Sequence, residues 1–196
     1  MSTKYSLPIE IVRGRSPIVT QEYGDTSTVA WYKSKGIDLK AHNGTDIVVS
    51  GGAVATYGTR LVCPVSTALL DKVYFTTPMS TQGNGVRIRW RDEGKLIQCL
   101  VWHCSETNQQ GEYKEKDTLG YMGNSGTVRP EPSVWNVHAG SHLHLMTYID
   151  NVLVNPREVF DFTKWYISEI DTAQAKDLPP FIYFLNKIRE SLVGIT

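Results

Sequence analysis

The chain of 196 residues, 41% hydrophobic, has ample material for one buried core plus an extension and no comfortable room for a second large domain. Lysine plus arginine and aspartate plus glutamate both number 20, so no whole-chain field recruits nucleic acid. Cys63, Cys99 and Cys104 form no C-x-x-C pair, and an odd count without framework spacing fits a reducing compartment rather than a disulfide scaffold. The run Met1 to Pro8 lacks the apolar core and small-residue cleavage site of a secretory signal, and no uninterrupted apolar run is long enough to span a bilayer.

The first informative element is His42-Asn43-Gly44-Thr45-Asp46. Thr45-Asp46-Ile47-Val48-Val49 reads as a strand, and Gly44, without a Cβ, lets the backbone bend so that a loop histidine and a strand aspartate converge. Further on, Val86-Arg87-Ile88-Arg89-Trp90-Arg91 alternates strictly, Asp92-Glu93-Gly94 is a polar turn, and 95–103 is a second extended run. That is a hairpin whose arginine row is expected to face solvent. In its second strand Ile97, Cys99, Val101 and His103 are expected on one face, and Gln98, Leu100 and Trp102 on the other, with His103 at the strand end on the side that looks into a groove. Gly123-Asn124-Ser125-Gly126 lacks the Lys-Ser/Thr of a P-loop and reads as a turn.

His142-Leu143-His144 completes the pattern. In an extended strand its two imidazoles project to one side, ~6.6 Å apart, so one can bind a metal while the other sits over water held there. Two imidazoles and one carboxylate match a catalytic zinc that keeps its fourth position open, whereas a structural zinc would be closed by four ligands, usually with thiolates.

These elements resemble those of a known family. His42-x-Gly44-x-Asp46, then Trp102-His103-Cys104-Ser105, then Gly140-Ser141-His142-Leu143-His144 are similar to the successive H-x-G-x-D, H-x-S and G-x-H-L-H elements of the lysostaphin/LytM-type zinc metallopeptidases. Gln21-Glu22-Tyr23-Gly24 before the first motif and Gly58-Thr59 after it also fit, and the likeness covers roughly 16–160. The resemblance implies a mainly β (α+β) fold: a single antiparallel β-sheet groove domain with zinc at its floor. It also implies an activity, zinc-dependent hydrolysis of peptide bonds in bacterial peptidoglycan, at the peptide stem or cross-bridge. By similarity His42, Asp46 and His144 are the zinc ligands, and His103 and His142 flank the attacking water. Asn43 and Trp135 are assigned to substrate contact, Trp135 within the stretch 128–139, which is longer than usual and reads as a lid or wall of the groove. Leu145-Met146 stand where the family carries a Phe-Glu pair.

The organisation expected is an N-terminal extension (1–15), a metallopeptidase domain (16–160) and a C-terminal helical tail (161–196). Beyond Pro179-Pro180 the residues Phe181, Phe184, Leu185, Ile188 and Leu192 recur at helical spacing. That stripe is expected to pack on the catalytic domain, the alternative being self-association or a virion partner. A wall-cutting enzyme without an export signal reads as a phage product, released at lysis or carried by a virion; a secreted enzyme whose leader has been removed looks the same.

Rival chemistries fit less well. Cys104 adjoins His103 but points to the opposite face of a continuing strand, Cys99 lies ~13 Å away on the same face, and Cys63 beside Pro64 reads as a small buried hydrophobe, which argues against a thiol protease. H-E-x-x-H is absent, and a cupin-like H-x-H site needs a further histidine downstream. His138 matches no element and reads as a loop residue. The rival of a different class is a non-catalytic wall-binding or virion module on the same fold, expected to have lost ligands that this chain retains.

Overall fold

The computed structural model describes residues 4–75 and 82–168. The first strands are β1 (Tyr5–Ser6), β2 (Ile9–Val12), β3 (Pro17–Gln21), β4 (Thr45–Val49), β5 (Arg60–Val62), β6 (Thr67–Tyr74), β7 (Gly85–Asp92) and β8 (Lys95–Trp102). After them come β9 (Cys104–Thr107), β10 (Gly111–Lys114), β11 (Thr118–Met122), β12 (Leu143–Ile149), β13 (Val152–Val154), β14 (Phe160–Asp161) and β15 (Tyr166–Ser168). Two short helices, α1 (Val29–Ser34) and α2 (Ala53–Thr56), flank β4 in sequence. None of the described helices is long and apolar enough to cross a membrane.

The main sheet has 8 strands in the order β10-β6-β7-β8-β12-β4-β3, with β13 paired to β12, and all its pairings are antiparallel. Strand alternation divides its faces. Ile47, Val86, Ile88, Ile97, Cys99, Val101, Leu143 and Leu145 are fully buried and form one core. Each such side chain contributes about 1.5–3 kcal/mol by leaving water. Asp46, His144, Trp102, Leu100, Gln98, Arg87 and Arg89 belong to the opposite face, because they occupy the intervening, cross-paired positions.

The expected strand over Thr45–Val49 and the hairpin are both present. Asp92 pairs Lys95, leaving a loop of Glu93 and Gly94 with φ of 48° and 82°, the left-handed pair that a two-residue hairpin with native twist requires.

Three expectations change. The sheet is not single: a 5-stranded sheet, β15-β2-β5-β11-β9, covers the core from the other side, and β1 pairs β14 separately. The segment before residue 16 is no appendage, since Leu7, Ile9 and Ile11 lie in the common core. Residues 161–168 do not begin a helical tail, because Tyr166–Ser168 runs parallel to β2 and Phe160–Asp161 parallel to β1. The stripe from Phe181 to Leu192 lies outside the described residues.

Cys63, Cys99 and Cys104 are free and buried. Burial pushes all three thiols up, Cys104 to about 12, so little nucleophilic thiolate exists at neutral pH. A thiol-reactive dye is expected to label none of the 3 in native protein and all after unfolding. Native labelling of Cys104 with loss of activity would restore the thiol reading.

Candidate metal centre

The site sits where β4, β12 and β8 run side by side. His144 is cross-paired to Asp46 on one flank and to Trp102 on the other, so all three side chains leave the sheet on the face away from the core. The loop residue His42 joins them through backbone closure: its N–H donates to Asp25 O at 2.8 Å, and its carbonyl accepts from Gly24 N–H at 2.8 Å. One ligand atom from each of His42, Asp46 and His144 lies within 4.8 Å of the others.

Asp46 Oδ1 is the focus. It stands 2.8 Å from His144 Nδ1, 3.4 Å from His42 Nε2 and 3.7 Å from His142 Nε2. Burial opposes ionisation of this carboxyl, but His142, His144 and His42 outweigh it and hold the group well below the usual carboxylate range. Burial likewise works against charge on His42, yet hydrogen bonding and the charge of Asp46 raise its pKa overall. On His144 burial prevails and the pKa falls.

His42 provides the test of whether these residues fit a metal. Its Nδ1 faces the carbonyl of Glu22 at 3.3 Å, so in the neutral ring the proton sits there, and its buried Nε2 meets only Asp46 Oδ1, at 3.4 Å and outside hydrogen-bond geometry. A buried nitrogen lone pair without a donor is costly unless something electrophilic meets it. A divalent cation bound by two imidazoles and a carboxylate does so, and this donor set is one zinc accepts.

Gly44 matters through close approach rather than bending. A Cβ there would stand 2.6 Å from Leu145 O and 2.8 Å from His144 Cε1, backbone on one side and a ligand ring on the other. Gly44→Ala is therefore expected to displace His144, lowering zinc affinity at least tenfold and stability by about 1–3 kcal/mol, the scale of overpacking. Competition with a chelating dye and thermal unfolding measure the two effects.

His103 lines the cavity but leaves the face of Ile97, Cys99 and Val101 with which alternation groups it. Strand β8 ends at Trp102, and His103 has a φ of 64°, which breaks the alternation and turns its ring away from the Ile97, Cys99 and Val101 side. It lies 4.5 Å from the His142 ring and 6.0 Å from the His144 ring, centroid to centroid. Nδ1–H of His103 donates to Ser125 O at 2.7 Å and Nδ1–H of His142 to Gly140 O at 2.7 Å. Carbonyls only accept, so in the neutral form of either ring the proton sits on Nδ1 and Nε2 is the bare nitrogen. Burial, with repulsion from His142 and His144, pushes His103 down to about 3, and it stays neutral through the physiological range.

Sequence reasoning did not identify Ser125 and Gly140 as orienting groups, because they act through backbone carbonyls that any residue carries. Their signal lay in the glycine-bearing turns. At Gly83 and Gly126 the backbones approach so closely that a Cβ on Gly126 would stand 2.4 Å from Gly83 N, and this packing seats the Ser125 carbonyl.

A cavity of about 460 Å³ opens above the cluster, lined among others by Trp31, Tyr32, Asn43, Trp102, Pro130 and His142. Burial and the Asp46 charge raise the Tyr32 phenol to about 12, so it remains a proton donor. The stretch 128–139 forms one wall and is tied to the α1 side by the Lys35–Glu131 ion pair and by the Arg129 guanidinium 6.0 Å from the Trp31 ring. Asn43 lines this cavity, whereas Trp135 does not: it stands 94% exposed at the outer turn of the wall. His138 packs on Tyr57, 4.4 Å between ring centroids.

No protein-family description and no curated protein sequence matches the chain. Solved structures do. It is similar to a zinc containing peptidase from Vibrio cholerae, with a TM-score of 0.53 and 14% identity over 78% of this chain and 39% of that one. The catalytic domain of the antimicrobial peptidase lysostaphin from Staphylococcus simulans gives a TM-score of 0.50 and 16% identity, covering 72% of this chain and 90% of that domain. The SpoIIQ-SpoIIIAH pore forming complex gives 0.54 and 14%, covering 91% and 100%. This chain thus spans well under half of the Vibrio protein and nearly all of the lysostaphin domain. The class defined is the lysostaphin-type peptidase fold, carrying a His-Asp-His cluster able to hold a metal.

Proposed function

We propose that this protein is a lysostaphin/LytM-type zinc endopeptidase that hydrolyses peptide bonds in bacterial peptidoglycan. The observation carrying the proposal is the buried His42-Asp46-His144 cluster with two further imidazoles, His103 and His142, beside it, each with Nδ1 turned to a backbone carbonyl. Zinc held by the three ligands supplies Lewis acidity toward a carbonyl and lowers the pKa of water from 15.7 toward about 7.

The chain's own groups perform the remaining work. His103 and His142 offer Nε2 to the attacking water, and one of them takes its proton as the new C–O bond forms. The Tyr32 hydroxyl at the cavity wall, which stays protonated, faces the negative charge that develops on the carbonyl oxygen. As the C–N bond breaks, the histidine that holds the proton passes it to the leaving amine. Asn43 contacts the chain inside the cavity, and Trp135 meets the polymer beyond it.

The experiment is digestion of purified peptidoglycan with zinc-loaded protein. New amino groups are expected without new reducing sugar ends, because among the described residues Asp46 is the one carboxylate of the cavity lining and glycoside hydrolysis uses a pair. Reducing ends appearing first would sink the assignment. A second reading, a non-catalytic module of an assembly, is favoured by the likeness to the pore forming complex. It requires intact wall to be bound and neither amino groups nor reducing ends to appear.

A further inference from the structure

The arginine row of β7 belongs to the face that carries the metal centre, and the register shows how. Gly85 pairs Trp102, which pairs His144, at the level of the site. Two residues along, Arg87 pairs Leu100 and Leu100 pairs Met146; two further, Arg89 pairs Gln98 and Gln98 pairs Tyr148. Cross-paired residues project to one side, so these levels lie ~7 and ~13 Å from the site along the same floor.

A depression of about 250 Å³ occupies that floor, lined by Arg87, Gln98, Leu100, Tyr148 and Asn151. None of the five is a carboxylate, and four carry hydrogen-bond donors. Gln98 Nε2 donates to Asn151 Oδ1 at 2.7 Å, which leaves the Asn151 amide hydrogens for another acceptor. A bulge between Leu70 and Lys72 places Asp71 against Arg87, with Nε–Oδ1 2.9 Å and Nη2–Oδ2 2.7 Å. That pair fixes the guanidinium in place while its Nη1 edge stays available. Arg89 Nε stands 3.3 Å from the same carboxylate, and Lys72 is cross-paired to Arg87. Arg87, Arg89 and Lys72 thus stand round one carboxylate, Asp71, and the next anion on that row, Glu112, lies two strands beyond Arg89 at the sheet edge.

We propose that this depression is a carboxylate subsite, binding a free carboxyl group of the peptide two to four residues from the bond being cut. An extended peptide advances about 3.3–3.6 Å per residue, so a chain seated at the metal centre and running along the strands brings a carboxylate at that remove over Arg87, Tyr148 and Asn151. The inference rests on the peptidase reading and adds what that reading lacks, a preference for acidic over amidated stems.

The test uses the full zinc-loaded chain and two substrates, muropeptides with free stem carboxylates and the same muropeptides chemically amidated. Amidation is expected to raise KM about tenfold with kcat retained. Arg87→Gln and Tyr148→Phe should raise KM on the free form and bring the two substrates level, with Arg87→Lys restoring part of the difference. Arg89 still pairs Asp71 in Arg87→Gln, and Tyr148→Phe removes a hydroxyl alone, so one of the two reports even if the other misfolds. Equal KM for free and amidated substrates overturns the subsite while leaving the peptidase standing. If neither substrate is cut, the peptidase reading falls, and binding measured by intrinsic tryptophan fluorescence decides. Tighter binding of the free form, lost in Arg87→Gln, keeps the subsite; equal binding of both forms removes it.

Discussion

Replacing His42, Asp46 or His144 by alanine is expected to abolish zinc binding and hydrolysis together. Each residue contributes one of three ligand atoms clustered within 4.8 Å, and the loss of any leaves two ligands for a cation that takes four. Asp46→Ala should be the most severe, because its Oδ1 also faces all three neighbouring imidazoles. Purified protein should carry about one zinc per chain, measured by mass spectrometry of the native protein or by elemental analysis. Proton competition follows from the charges. The raised pKa of His42 means that protons displace metal from it starting above the ordinary value of 6.5, so zinc affinity should fall as pH drops through that region. A variant without zinc that still cleaves peptide at the native rate would refute the metal centre.

His103→Ala and His142→Ala are expected to retain zinc and lose on the order of 10²- to 10⁴-fold in rate, the usual scale for a positioned base. The distinction from the ligands is structural. Both rings commit Nδ1–H to a backbone carbonyl at 2.7 Å and have no place among the three clustered ligand atoms. Because His103 is held neutral to about pH 3, its own protonation should not shape the acid limb of the rate profile above that point. Loss of metal should contribute to it, and overlaying the acid limb of the rate on the zinc-loading curve measures that share. Full metal content with unchanged turnover in both variants would remove the mechanism.

The elements legible in the sequence are those whose signal is local. Thr45–Val49 is a strand because it is short, β-branched and apolar, and Asp46 rides on it. The β7–β8 hairpin follows from strict alternation on either side of the polar turn Asp92-Glu93-Gly94, where Gly94 takes a positive φ without steric cost. The three histidine motifs, in order, placed His42, Asp46, His144, His103 and His142 as candidates, and in the fold all five converge.

What the tertiary structure alone decided is what depends on partners far away in the chain. Period-two alternation grouped His103 with Ile97, Cys99 and Val101 and expected that side to look into a groove; the groove lies on the other face, to which its positive φ, set as the chain leaves β8 and the Ser125 carbonyl takes its Nδ1–H, turns it. Residues 1–15 read as an extension and 161–196 as a tail because a two- to four-residue strand carries too few positions to declare a period; the parallel pairings β1·β14 and β2·β15 make 5–12 and 161–168 part of the core's cover. The arginines of β7 read as solvent-facing because alternation separates two faces without saying what each one meets. Only the order of strands across the sheet shows that their face is the floor beside the metal centre.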